Sequence, residues 1–352
     1  MLPAPKRPSR RHFPGLRPLL ALVPTLALVL TPACSSNPLD STPPTIEPAG
    51  PAVSPPTSRV PSGFLRPLTC HAQAAVFDAD TRQLAVLCPG AAASIDLFGE
   101  AQGTRTITLP GPATALTADD RGTLYLAARA SYFVVDLHAA RATQVAVTGA
   151  EHTDFTAIAR RADGKLVLGS ADGAVYTLAD DHAVPARIAN RNKIFARVDA
   201  LATQGNTTVV LDRGQTSVTT IGADGHAEQA LRAGEGATTL AADPLNRVLV
   251  ADTRGGQLLV YGVNPLILRE AYPVRQSPYG LAGSRSMAWV SLTDSNTVIG
   301  YDLSTGIPVE KVRYPTVQQP DSLALDELSD TLYVVSGSGG GVQVIEDAVG
   351  IR

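Results

Sequence analysis

No part of the chain's body carries sustained helical periodicity, neither sign of charge predominates, and the N-terminal apolar run is short. Without that periodicity, helical solenoids are excluded. The chain has 352 residues and a net charge of −3, from 29 basic and 32 acidic residues. It therefore lacks the basic footprint of a nucleic-acid binder. The apolar run, Leu19 to Leu30, has twelve residues, too few to cross a ~30 Å bilayer core as a helix. Chemical motifs are also missing. The six histidines show no His-x-x-x-His spacing, and no Gly-x-Ser-x-Gly elbow occurs. The glycine-rich stretch Gly337 to Gly341 lacks the Lys of a phosphate loop and is followed by no helix, so it reads as a turn. Asp78-Ala79-Asp80, Asp163-Gly164, Asp172-Gly173 and Asp224-Gly225 are likewise turns rather than calcium loops. Apolar residues make up 44% of the chain, too many for a disordered protein.

The first residues read as an address. Lys6, Arg7, Arg10, Arg11 and Arg17 precede the apolar run, and small residues follow it. That is the pattern of a signal peptide over residues 1–33. Thr31-Pro32-Ala33-Cys34 resembles a bacterial lipoprotein lipobox, with Thr31 in place of the usual leucine. The resemblance implies a lipid on Cys34 and a cell-envelope, extracytoplasmic protein anchored to the membrane. The alternative is an ordinary cleaved signal with an incidental cysteine. Ser9-Arg10-Arg11-His12-Phe13 resembles the twin-arginine export motif, although Pro14 follows, so both export routes stay open. Residues 34–62 are rich in Pro, Ser and Thr and read as an extended linker that holds a folded head away from the membrane.

From about Ala74 to Ile345 one pattern recurs: an apolar strand, a turn rich in Asp, Gly or Asn, a β-branched strand, a polar turn and a third strand. Its second strand starts at Leu84, Leu124, Leu166, Thr208, Val248, Ala288 and Leu332, at intervals of 40 to 44 residues. Seven short-stranded units at that spacing predict an all-β fold. It is a seven-bladed β-propeller of four-stranded blades over residues 63–352. Phe64, Leu65 and Leu68 are expected in the outer strand of the last blade, closing the ring by pairing the chain's two ends.

The last repeats carry more specific residues. Ala288-Trp289-Val290-Ser291 is followed by Ser295-Asn296-Thr297-Val298-Ile299-Gly300-Tyr301-Asp302. Then come Pro320-Asp321-Ser322-Leu323-Ala324-Leu325-Asp326 and Thr331-Leu332-Tyr333-Val334-Val335. These stretches resemble the YVTN-type propeller repeat family. The resemblance implies a propeller, often outside the cytoplasm, and assigns no catalytic residue.

Aligning the seven first strands places small residues nearest the axis: Ala75, Ala115, Ala157, Ala200, Thr239, Gly280 and Ser322. One position earlier lies a polar ring that includes Thr114, Thr156, Asp199, Thr238, Tyr279 and Asp321. These six are the candidate ligand-binding residues at the channel mouth. The ring has no Glu and no Asn, which counts against the acid–amide metal set of propeller lactonases. No residue is assigned to catalysis, to a metal or to a cofactor. The preferred expectation is a non-enzymatic lipoprotein that binds a protein, a glycan or a small ligand. The alternative is a hydrolase or lactonase using the acidic mouth. Export and a lipidated Cys34 leave Cys70 and Cys88 to form a disulfide in an oxidising compartment. A first hairpin turning near Ala79 sets the two opposite each other.

Overall fold

The computed structural model describes residues 43–99, 103–179 and 184–350. The expected signal peptide, the candidate lipidation site Cys34 and the first residues of the linker lie outside the described residues. Among the described residues there are 28 strands and no helix.

The strands form antiparallel units in chain order. Separate four-stranded sheets cover residues 74–108, 200–232, 237–273 and 278–315. Residues 115–148 and 155–193 form two more such units. Their outer strands, Arg141–Thr148 and Ala186–Lys193, pair in parallel and fuse them into one eight-stranded sheet. The last sheet takes three strands from residues 320–345. Its fourth is Phe64–Arg66, which pairs antiparallel with Val342–Ile345 through Phe64 opposite Val344. Gly63 makes that entry possible: its φ is +73°, and a Cβ there would meet the Val344 carbonyl oxygen at 2.0 Å.

The first strands of successive units neighbour one another, and the first strand of 320–345 neighbours that of 74–108. Both faces of each sheet are therefore covered, and middle strands such as Leu166–Ser170 and Arg247–Asp252 are buried at every residue. Outer strands alternate instead; in Thr104–Thr108 only Ile107 is buried. Apolar clusters fill the space between neighbouring sheets. Leu87, Ile95, Leu124 and Phe133 join the units 74–108 and 115–148. Leu84, Phe98, Val335 and Val344 join 74–108 to 320–345.

The Asp-rich turns have a physical reason. Asp243 accepts the backbone N–H of Leu245 and Arg247, and its other oxygen takes the Arg247 guanidinium at 2.8 Å. Asp252, at the end of a second strand, accepts the N–H groups of Glu235, Gly236 and Gly255. Such carboxylates satisfy turn amides that would otherwise be buried without acceptors.

Cys70 and Cys88 form a disulfide with a Cα–Cα distance of 5.7 Å. The register that was expected to bring them together is different, however. The first hairpin pairs Asp78 with Gln83, so its four-residue turn is centred later than Ala79, and Cys70 lies before the strand Ala74–Asp78. The bridge ties the lead-in segment, rather than a facing strand residue, to the sheet.

Candidate functional site

First strands begin, and second strands end, on one face of the units. That face carries the mouth residues. Asp199 precedes the first strand Ala200–Gln204. Its carboxylate accepts the Arg213 N–H at 2.8 Å and Arg197 Nε at 3.1 Å. Burial pushes its pKa above the ordinary 3.8, and the Arg213 N–H, Arg213 and Arg197 oppose that rise. Asp321 accepts Gln319 Nε2 at 2.9 Å, and burial raises its pKa as well. Gly337 leaves it room, because a Cβ there would meet Asp321 Oδ2 at 2.0 Å. Burial also raises the Tyr279 phenol, which feels both the positive Arg213 and the negative Asp321. Asp199, Arg213, Tyr279 and Asp321 are thus electrostatically linked across the mouth. Arg213 Nε is buried and has no hydrogen-bond partner.

The threonines serve differently. Thr114 Oγ1 donates to the Phe155 carbonyl of the next unit at 2.7 Å, and Thr156 Oγ1 to that of Val198. Thr239, one residue from the candidate Thr238, donates to the Tyr279 carbonyl. Thr238 itself is buried and bonds the Ala251 carbonyl and Thr253 Oγ1. The hydroxyls of Thr114, Thr156 and Thr238 are spent on backbone or neighbouring side chains, and those of Thr114 and Thr156 stitch adjacent units. The structure gathers Asp199, Tyr279 and Asp321 with two residues that the aligned ring does not contain, Arg213 and Gln319. Arg213 directly follows the second strand Thr207–Asp212.

A further feature covers this face. Of the expected linker, residues 43–62 are described, and from Ile46 to Pro55 they lie across the same loops. Ile46 N–H donates to the Gly214 carbonyl, and Arg213 donates to the Ala49 carbonyl. Arg254 Nη2 reaches the Glu47 carbonyl at 2.7 Å. Ala52 N–H lies 3.0 Å from both Ser277 Oγ and Thr293 Oγ1. Gln319 grips the segment twice, donating to the Ala52 carbonyl at 3.0 Å and accepting Ser54 N–H at 2.9 Å. Asn296 Nδ2 holds the Pro55 carbonyl at 2.7 Å.

Among the described residues one group of metal-ligating side chains converges, Cys70, Cys88 and Asp96. Its sulfurs are bonded to each other, so neither is a thiolate ligand.

No family model matches the chain, and no curated protein matches it. Solved structures do. A chain of the mitotic checkpoint complex is similar with a TM-score of 0.68 at 11% identity, covering 87% of this chain and 97% of that one. A streptogramin B lyase is similar with a TM-score of 0.65 at 9% identity, covering 81% and 97%. Virginiamycin B lyase from Staphylococcus aureus gives 0.66 at 10% identity, covering 80% and 97%. The architecture is that of a β-propeller. At such identities the likeness concerns the fold alone.

Proposed function

We propose that the chain is an exported, lipid-anchored envelope protein whose propeller binds a ligand at its mouth without catalysing a reaction. In this reading residues 1–33 are a signal peptide and Cys34 carries the lipid. The units form a seven-bladed ring of YVTN-type repeats, closed by the strand Phe64–Arg66 on the last sheet. The cyclic neighbourhood of the first strands supports that count and closure.

The observation that carries the binding role is Arg213. Its Nε is a buried donor without an acceptor, within electrostatic reach of the Tyr279 phenol and the Asp199 carboxylate. Buried donors are almost always satisfied. A ligand oxygen from a carbonyl, a carboxylate or a sugar hydroxyl would complete it, with Tyr279 offering an aromatic face. Screening purified protein against soluble peptides and oligosaccharides tests this. A ligand should lose about tenfold or more in affinity on Asp199→Ala or Tyr279→Ala, the scale of one or two lost hydrogen bonds. Ligand binding that ignores both substitutions while unfolding is unchanged would refute the mouth as its site.

One observation favours a second reading. Two carboxyls raised by burial in a recess are candidate acid–base groups, so a hydrolase, lactonase or lyase acting through Asp199 or Asp321 is the alternative.

A further inference from the structure

The segment from Ile46 to Pro55 is held almost entirely by its backbone. Arg213, Arg254, Ser277, Thr293, Asn296 and Gln319 bond its carbonyls and N–H groups. The strap side chain that bonds back is that of Ser54, whose Oγ donates to the Thr293 carbonyl. A surface of this kind reads an extended chain, with room for small side chains where Ala49 and Ser54 are buried. Pro48, Pro51 and Pro55 favour that extended form. The groove is shaped for it as well. A Cβ at Gly236 would lie 2.9 Å from Ala49 Cβ, and one at Gly214 would lie 3.1 Å from Thr45 Cγ2. Two of the gripping residues hold left-handed backbone, Ser277 at φ 59° and Gln319 at φ 56°.

We infer that this groove is a binding site for an extended, proline-rich peptide, that residues 46–55 fill it in cis, and that releasing this strap opens both groove and mouth. The inference deepens the reading of the mouth as a binding surface and rests on it, because Arg213 and Gln319 belong to both. A tethered strap acts at an effective concentration of roughly millimolar, so micromolar free peptide does not displace it. Proline at positions 52 and 54 would remove two of the three strap N–H donors that the groove accepts, leaving that of Ile46. Losing both, together with the Ser54 hydroxyl's bond to the Thr293 carbonyl, weakens the strap roughly thirtyfold or more.

The probe is a labelled synthetic peptide of residues 43–58, added to the full chain and to its Ala52→Pro/Ser54→Pro variant. The variant is expected to bind the peptide about thirtyfold more tightly than the parent, and a further Gln319→Ala is expected to erase that gain. No gain in a variant that unfolds at the parent's temperature overturns the inference. If the variant does not fold, amide exchange in the intact parent decides. The Ala52 and Ser54 amides should be protected, yet exchange faster than those of Arg247–Asp252. Free-coil rates, or protection equal to that strand, overturn the proposal. If a mouth ligand is lost on Asp199→Ala while the opened variant ignores the peptide, only the groove is refuted. If the ligand also ignores Asp199→Ala and Tyr279→Ala, the mouth reading falls with it.

Discussion

Single side chains do two jobs here. Asp243 and Arg247 form an ion pair inside a turn, with side-chain exposures of 0% and 10%. Asp243→Ala would leave a guanidinium buried without its partner, so unfolding in denaturant should show a loss of about 3–5 kcal/mol. The mouth carboxyls behave in the opposite sense. Burial raises the pKa of Asp321, so its ionised form is costlier in the folded than in the unfolded state. That cost is absent below the unfolded value and grows as pH rises through the folded one. Asp321→Asn keeps an oxygen for Gln319 and removes the cost. The variant's stability relative to the parent should therefore rise as the pH climbs from the unfolded carboxylate value through the raised folded one, and be level on either side. An unchanged difference across that window would contradict the assignment. Asp199, Tyr279 and Asp321 were legible from the sequence because they occupy one aligned position of a repeat. Arg213 and Gln319 were not, since each acts from a loop whose course depends on the fold. The threonine hydroxyls of the same ring go to carbonyls of adjacent strands or to neighbouring side chains, and alignment cannot reveal that either.

At the scale of elements, strand-length apolar runs and regular spacing made the four-stranded units readable. The strand at Phe64–Arg66 was readable too, from Phe64 and Leu65 ahead of the first repeat, although Leu68 lies beyond it. It also carries Arg66, which stacks 5.0 Å over Phe98 and donates to the Gly99 carbonyl at 2.6 Å. Deleting residues 61–69 should lower the thermal midpoint by roughly 10 °C or more, and an unchanged midpoint would show the strand to be dispensable. The disulfide has a similar lesson. Its partners followed from counting cysteines, whereas its geometry did not, because the turn length that sets the register was misjudged. Closing a loop over a sequence separation of 18, the bridge should stabilise by roughly 3 kcal/mol. Comparing unfolding of the parent with Cys70→Ser/Cys88→Ser checks that figure. The course of residues 46–55 was not legible at all. A Pro-rich composition specifies an extended backbone, and nothing in it reveals whether side chains elsewhere will bind that backbone.

At the scale of the molecule, the proposal joins an address, a ring and a mouth. Cys34→Ser should abolish the processed, lipid-anchored form and let the unprocessed precursor accumulate, read by cell fractionation and apparent mass. Retention of a processed form on the membrane would remove the lipid anchor from the account. Loops of four successive units hold one extended segment. The mouth beneath it mixes two carboxylates, a guanidinium and a phenol, and each Asp carboxylate already accepts a hydrogen bond. The proposal takes this set as one for recognition; turnover would call on the buried Asp199 and Asp321 as acid–base groups. The most direct measurement is therefore a panel of hydrolase, lactone and lyase substrates, run on purified protein with and without divalent cations. The account predicts no turnover that depends on the mouth. Turnover that disappears in Asp199→Ala or Asp321→Ala and survives in surface-substituted controls would contradict it and make the mouth an active site.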